Sequence, residues 1–143
     1  MLTTDQFLKA KIVETSWRFG NSYSGGHLAG QMVMATLANR FRAGFGSWLS
    51  ILENVPNFMA ENEVPPFKID SVWNPSFTKL LHAVEGVYDG SAQDLTKGAL
   101  YWGDLNKIER PWFKAKVVDA LSEATGLRQH PMVANLNSLS FFK

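Results

Sequence analysis

The segment over residues 12–40 places one carboxylate, Glu14, among apolar and aromatic neighbours such as Val13, Trp17 and Phe19. A carboxyl group beside apolar groups is harder to ionise, because its charged form loses water. Glycoside cleavage needs an acid that is still protonated near neutral pH. We place Glu14 toward the C-terminal end of a first helix, where the helix dipole also disfavours negative charge. Glu14 is therefore a candidate general acid, and the alternative is an ordinary solvated acid at a helix end.

Three aromatic residues in the second half of the chain are of a type that binds sugars. The stretch "DLTKGALYW" ends in Tyr101 and Trp102, and "RPWF" contains Trp112. Sugar rings stack on flat aromatic faces, so these residues are candidates for the wall of a groove. A turn, a strand and core aromatics account for the same segments equally well.

Other catalytic patterns are missing from the sequence. His27, His82 and His130 are scattered without metal-binding spacing, and there is no GxSxG motif for a nucleophilic serine. The loop "GNSYSGG" has neither a Walker lysine nor a preceding strand. The chain has no cysteine, and its formal net charge is +1 without a long run of Lys or Arg. We therefore expect no metal, no cofactor and no nucleic-acid partner.

The spacing of apolar residues predicts the elements that must hold these residues. The predicted helices are a first one capped by Thr4 or Asp5 and stopped at Gly20, a second over residues 27–41, a short "WLSILENV" capped by Ser47, and "NPSFTKLLHAVEGVYDG" capped by Asn74. The predicted buried stripe of this last helix is Phe77, Leu80, Leu81, Val84 and Tyr88. "ALYW" reads as a short strand, and "PMVANLNSLSFFK" reads as two extended runs about a turn. The prediction is one α+β domain over residues 1–143, mostly helical, with a small antiparallel sheet in its C-terminal half.

Four segments, taken in order, resemble the motifs of the cell wall hydrolases of the spore-cortex-lytic type, which occur in spore formers, other bacteria and phages. The matching residues are Glu14, Gly30, Gln31, Val33, Ala35, Asn39 and Arg40, then Asp94, Thr96, Gly98, Ala99, Tyr101 and Trp102, then Pro111 and Trp112, and finally "LNSLSFF" over residues 136–142. The chain departs from the family pattern at Asn21, where a second Glu is usual, and at Leu139, where the pattern has His.

The resemblance implies a fold like that of lysozyme and the lytic transglycosylases, with peptidoglycan as the substrate. Glu14 would correspond to the family's single essential acid. Tyr101, Trp102 and Trp112 would bind sugar, and Tyr23 and Asn57 would hydrogen-bond to it. The predicted function is a lytic transglycosylase that cleaves the bond between N-acetylmuramic acid and N-acetylglucosamine. Asp94 and Glu61 are the other acids considered, and both are expected to be structural or solvated.

The N-terminus has no basic start, apolar block or small-residue cleavage site, so no signal peptide is predicted. No stretch approaches the roughly 18 apolar residues of a membrane span. A phage-encoded member would act from a virion or from the host cytoplasm on the cell wall, with glycan strands and virion or tail proteins as partners. The second hypothesis is a virion or envelope component that binds glycan, or docks to a larger particle, without turnover. A zinc amidase is disfavoured by the scattered histidines.

Overall fold

Helices dominate the part of the chain that the structure, a computed structural model, describes: residues 3–21, 26–53, 72–103, 130–137 and 139–143. In chain order, the elements are α1 Thr4–Asn21, α2 Gly26–Arg42, α3 Trp48–Glu53, α4 Pro75–Asp89, β1 Tyr101–Gly103, β2 Met132–Leu136 and β3 Leu139–Phe142. The predicted α+β architecture, mostly helical with a small antiparallel sheet late in the chain, is confirmed at this level.

Small residues let α1 and α2 come into backbone contact. A Cβ atom added to Gly20 would lie 2.5 Å from the Cα of Gly30, and one added to Gly30 would lie 3.2 Å from the carbonyl oxygen of Ser16. The Leu80 side chain of α4 fills the same crossing, with its Cδ1 2.8 Å from the Cβ position of Gly30. Any side chain at either glycine would therefore push the helices apart.

The start of α4 has the capping arrangement that the sequence predicts. Asn74 accepts a hydrogen bond from the backbone N–H of Ser76 at 2.8 Å, and Pro75 occupies the first turn. At the other end, Gly90 adopts a left-handed conformation with φ of 85°. Arg42 of α2 donates from Nη2 to the carbonyl oxygen of Val87 at 2.9 Å, so a cation caps the negative end of the helix dipole.

The buried face of α4 differs from the predicted stripe at Leu81, Val87 and Tyr88. The buried residues are Phe77, Leu80, Val84 and Val87. Leu81 is 51% exposed, so its assignment to the core is wrong, and Tyr88 is half-buried. The buried residues follow each other at spacings of three, four and three, which define one helical face. Leu81 is turned by about 100° from Leu80 and so points away from that face.

Trp48 at the start of α3 joins two other helices through ring stacking. Its ring stacks on Phe41 of α2 with centroids 5.0 Å apart and on Tyr88 of α4 at 5.7 Å. The predicted cap of α3 is confirmed, because the Oγ of Ser47 accepts from the backbone N–H of Ser50 at 3.1 Å.

The three strands form an antiparallel sheet in the order β1-β3-β2. In β1, Tyr101 pairs with Phe142 and Trp102 pairs with Phe141. The register of β2 against β3 shifts between Met132 and Ala134. Both extended runs of the predicted C-terminal hairpin are confirmed, and the strand expected in "ALYW" begins at Tyr101.

Candidate functional site

Glu14 lies within α1, seven residues before the last residue of that helix. At 3.6 residues per turn this is about two turns from the end, whereas the helix dipole acts within the last turn. The expectation that Glu14 sits at a helix C-terminus is therefore wrong, and the dipole does not bear on its charge.

The Glu14 side chain is partly buried, with 29% of its surface exposed, and a lysine accompanies it. The Nζ of Lys11 lies 3.9 Å from the Oε2 of Glu14, one helical turn away. The same Nζ lies 5.9 Å from the centre of the Phe7 ring. Phe7, Lys11 and Glu14 thus share one face of α1, since spacings of three and four residues return to the same side of a helix.

The face that carries Glu14 points away from the side of α1 that meets the sheet. The ring of Phe19 contacts the ring of Trp102 edge-on at 5.7 Å. Five helical positions separate Phe19 from Glu14, a rotation of about 140° about the helix axis. The described part of the chain therefore does not bring Glu14 beside Tyr101 and Trp102, which the groove expectation required.

The two sequence segments "LANR" and "DLTKGA" are joined by hydrogen bonds from one side chain of α2. Asn39 Nδ2 donates to Asp94 Oδ2 at 2.8 Å and to the carbonyl oxygen of Ala99 at 3.0 Å. Asp94 Oδ1 accepts from the backbone N–H of Thr96 at 2.8 Å and from its hydroxyl at 2.6 Å. Asp94 Oδ2 also accepts from the backbone N–H of Gly98 at 2.7 Å. The loop after α4 is thereby folded around one carboxylate and tied to α2.

Asp94 is held in its ionised form by these contacts. Partial burial acts to raise the pKa of Asp94, but the hydrogen bonds from Thr96, Asn39 and Gly98 outweigh it and leave the pKa below its ordinary value. An acid with a lowered pKa and every oxygen engaged is unsuited to donate a proton near neutral pH. The structure thus favours the expected structural role for Asp94.

Arg40 follows Asn39 on α2 and reaches the start of β1. Its Nε donates to the carbonyl oxygen of Leu100 at 2.6 Å. Its guanidinium carbon lies 4.8 Å from the centre of the Trp102 ring and 5.7 Å from that of Tyr101. Burial lowers the pKa of Arg40 to about 10, so the side chain still carries its charge near neutral pH.

Tyr101 and Trp102 point to opposite faces of the sheet, as neighbours on a strand must. Trp102 is 1% exposed and lies in the core, so the expectation that it lines a sugar-binding groove is wrong. Tyr101 is half-buried, with its ring 4.3 Å from that of His130 and 6.2 Å from that of Phe45. Of these two sugar-binding candidates, only Tyr101 can present a ring to a ligand.

An open concavity of about 290 Å³ lies between the end of α2 and α3, and its described lining residues are Arg40, Phe45, Ser50 and Ile51. We call it the Arg40 concavity. Phe45 is 46% exposed there, whereas Ile51 is buried. Sequence reasoning did not single out Phe45 or His130 as neighbours of Tyr101, because their spacing along the chain carries no signal of it.

The remaining candidates Tyr23, Asn57, Trp112 and Glu61 lie outside the described residues. At the two departures from the family pattern, Asn21 is the last residue of α1 and Leu139 is fully buried in β3. Leu139 is therefore a core residue.

Within the described ranges, no group of three or more His, Asp or Glu residues is placed to hold a metal ion. The helices of the same ranges include none that is long and apolar enough to cross a membrane. Comparison of the chain with protein-family models, curated proteins and solved structures gave no match.

Proposed function

We propose that this chain is a peptidoglycan lytic transglycosylase with a lysozyme-like fold, and that Glu14 is its acid and then its base. The observation that carries the proposal is the hydrogen bonding of Asn39 to Asp94 and Ala99. It joins two of the segments that resemble the cell wall hydrolases, although 55 residues separate Asn39 from Asp94. Motif residues that meet in space are what a shared fold requires.

One carboxyl group is enough for this reaction. Protonated Glu14 would give its proton to the oxygen that bridges N-acetylmuramic acid and N-acetylglucosamine, as that bond to the muramic C1 breaks. The Glu14 carboxylate would then take the proton of the muramic C6 hydroxyl while the C6 oxygen bonds to C1. This step yields a 1,6-anhydro sugar and restores protonated Glu14. A retaining hydrolase would need a second carboxyl group about 5 Å away, and an inverting one a second about 6.5–9.5 Å away.

Two of the described acids, Asp94 and Glu85, are engaged with other groups, which supports the one-carboxylate mechanism over a two-carboxylate one. Asp94 is engaged by Asn39, Thr96 and Gly98. Glu85 pairs with Lys9 at 2.8 Å on the opposite side of α1 from Glu14. Neither is arranged as a partner of Glu14.

The test is mass spectrometry of the products released from purified peptidoglycan. The native chain is expected to release anhydro-muropeptides, and Glu14→Gln is expected to keep the fold and release none. Glu85→Gln is the matched control, because it also removes a carboxylate that pairs with a lysine of α1. Its product release should equal that of the native chain. Products with reducing ends would indicate a true hydrolase. Undiminished product release by Glu14→Gln would show that Glu14 is not the catalytic acid.

A second candidate function is glycan binding without turnover, as a virion or envelope component that can also dock to a larger particle. Glu14 and Phe19 lie on different sides of α1, and Phe19 is the residue that contacts Trp102 of the sheet. This separation of Glu14 from the aromatic residues of β1 favours binding without catalysis. The pairing of Glu14 with Lys11 points the same way. Binding of the native chain to insoluble peptidoglycan with no released product would support this candidate. Its partners would then be glycan strands and, for a virion protein, tail or capsid components.

A further inference from the structure

Arg40 is a buried cation without a protein counter-charge in the described part of the chain. The residue is 5% exposed, and the described ion pairs involve only Lys9 and Lys11. Its Nε donates to the carbonyl oxygen of Leu100, whereas its Nη atoms are not among the buried polar atoms of the described residues that lack a partner, so they keep contact with solvent at the Arg40 concavity. A guanidinium has five N–H donors, and donors that face a solvent-filled concavity beside apolar walls can bind an anion through charge-assisted hydrogen bonds. The arrangement therefore has room for an anionic partner.

The surroundings of Arg40 define what that partner would be. The Arg40 concavity has an aromatic wall at Phe45 and a buried aliphatic floor at Ile51. The Phe45 ring lies 6.2 Å from Tyr101, over which the Arg40 guanidinium also lies. The concavity thus combines one cation, whose planar fork matches a carboxylate, with an apolar surface suited to a sugar ring or a short aliphatic chain.

We propose that the Arg40 concavity binds the carboxylate of a muropeptide, with Arg40 pairing to the carboxylate and Phe45 contacting the attached sugar or aliphatic group. This inference deepens the proposed function and rests on it for the choice of ligand. Two sources in peptidoglycan have the required chemistry: the lactyl group of muramic acid and the peptide stem. N-acetylglucosamine has neither, so the site would recognise only one of the two alternating sugars.

The experiment is isothermal titration of the full chain with three probes. N-acetylmuramic acid presents a lactyl carboxylate, L-alanyl-γ-D-glutamate presents stem carboxylates, and N-acetylglucosamine is the matched sugar without a carboxylate. At least one carboxylate probe is expected to bind about tenfold or more tightly than N-acetylglucosamine. The tighter of the two identifies the source. Equal binding of N-acetylglucosamine, or no binding of either carboxylate, would overturn the proposal.

Variants locate the binding. Arg40→Gln, if folded by circular dichroism, should weaken the tighter probe about tenfold or more, and Phe45→Ala should weaken it severalfold. Phe7→Ala is the control for Phe45, because Phe7 is similarly exposed at 42% but lies on α1, which contributes none of the described lining residues of the concavity. It should bind as the native chain does. Loss of affinity in Phe7→Ala equal to that in Phe45→Ala, or native affinity in folded Arg40→Gln, contradicts the site.

A measurement on the native chain covers the case in which Arg40→Gln does not fold. The Nε–H resonance of Arg40 should shift with the carboxylate probe and stay in place with N-acetylglucosamine. An unmoved resonance overturns the proposal. None of the probes has the glycosidic bond that Glu14 would cleave, so the result is independent of catalysis. Binding of a carboxylate probe by a chain that releases no muropeptides would support this site and contradict the transglycosylase proposal. Release of anhydro-muropeptides by a chain that binds neither carboxylate probe would support the transglycosylase proposal and contradict this site.

Discussion

Replacing Asp94 by asparagine isolates the carboxylate that ties the loop after α4 to α2. The two oxygens of Asp94 accept four hydrogen bonds, two from Thr96 and one each from Gly98 and Asn39. Asparagine keeps the shape of the side chain but turns one oxygen into an NH₂ group. If that group replaces Oδ2, a donor faces the donors of Gly98 and Asn39, and two hydrogen bonds are lost together.

The expected loss of stability follows from those two hydrogen bonds. A hydrogen bond to a charged group contributes roughly 1.5–3 kcal/mol when it is buried. Asp94 is only half-buried, so solvent screening places each bond near the lower end of that range. Asp94→Asn should therefore lower the free energy of unfolding by about 3 kcal/mol. For a domain of this length, that corresponds to a fall in Tm of roughly 6–12 °C.

The assay is urea unfolding followed by far-UV circular dichroism, with Asp89→Asn as the control. Asp89 Oδ1 also accepts from a residue two positions on, through the backbone N–H of Ser91 at 2.9 Å and its hydroxyl at 2.7 Å. Asp89 is exposed, however, and has no partner on α2 among the described hydrogen bonds. Asp89→Asn should change the midpoint far less. Equal effects of the two substitutions would refute the view that Asp94 stabilises the fold through Asn39.

The pH dependence gives the same reasoning a second test. Because the folded-state pKa of Asp94 lies below its ordinary value of 3.8, the carboxylate adds stability above pH 3.8. That contribution is lost as the pH falls through the lower folded value. The difference in stability between the native chain and Asp94→Asn should thus be full at pH 7 and shrink below about pH 3.8. If the stability difference between the native chain and Asp94→Asn instead grows at acidic pH, folding does not lower the pKa of Asp94.

Three further predictions concern packing and are measured by the same urea unfolding. Leu80→Ala should lower the free energy of unfolding by about 2–5 kcal/mol and Leu81→Ala by less than about 0.5 kcal/mol, because their exposed fractions are 1% and 51%; equal losses would contradict the assigned face of α4. Gly20→Ala should lower the free energy of unfolding by at least about 2 kcal/mol, because the new Cβ would meet the backbone of Gly30. An unchanged free energy of unfolding would mean that α1 and α2 are not in contact at Gly20. Gly90→Ala should lower the free energy of unfolding by about 1 kcal/mol, because the φ of 85° is unfavourable for a residue with a Cβ atom. A gain in stability would contradict the left-handed cap of α4.

Local features were read correctly from the sequence where the physical cause is also local. The Asn74 cap needs only its own side chain and the backbone of the next turn, so α4 begins where "NPSF" indicates. The hairpin of β2 and β3 is similarly a matter of two short extended runs about a polar turn. The same local reasoning failed at Leu81, because a single helix does not reveal which of two adjacent apolar positions its neighbour covers.

The candidate site depends on contacts that join distant parts of the chain. The sequence alone determined the residue types: one carboxylate on α1, an Asn-Arg pair closing α2, and a loop with Asp94 before an aromatic pair. Only the tertiary structure decided that Trp102 is buried while Tyr101 meets His130 and Phe45. It also turned Glu14 away from the side of α1 that meets β1. The physical reason is that strand alternation and helical rotation fix which residues oppose each other, but the packing of one element against another selects which side faces the core.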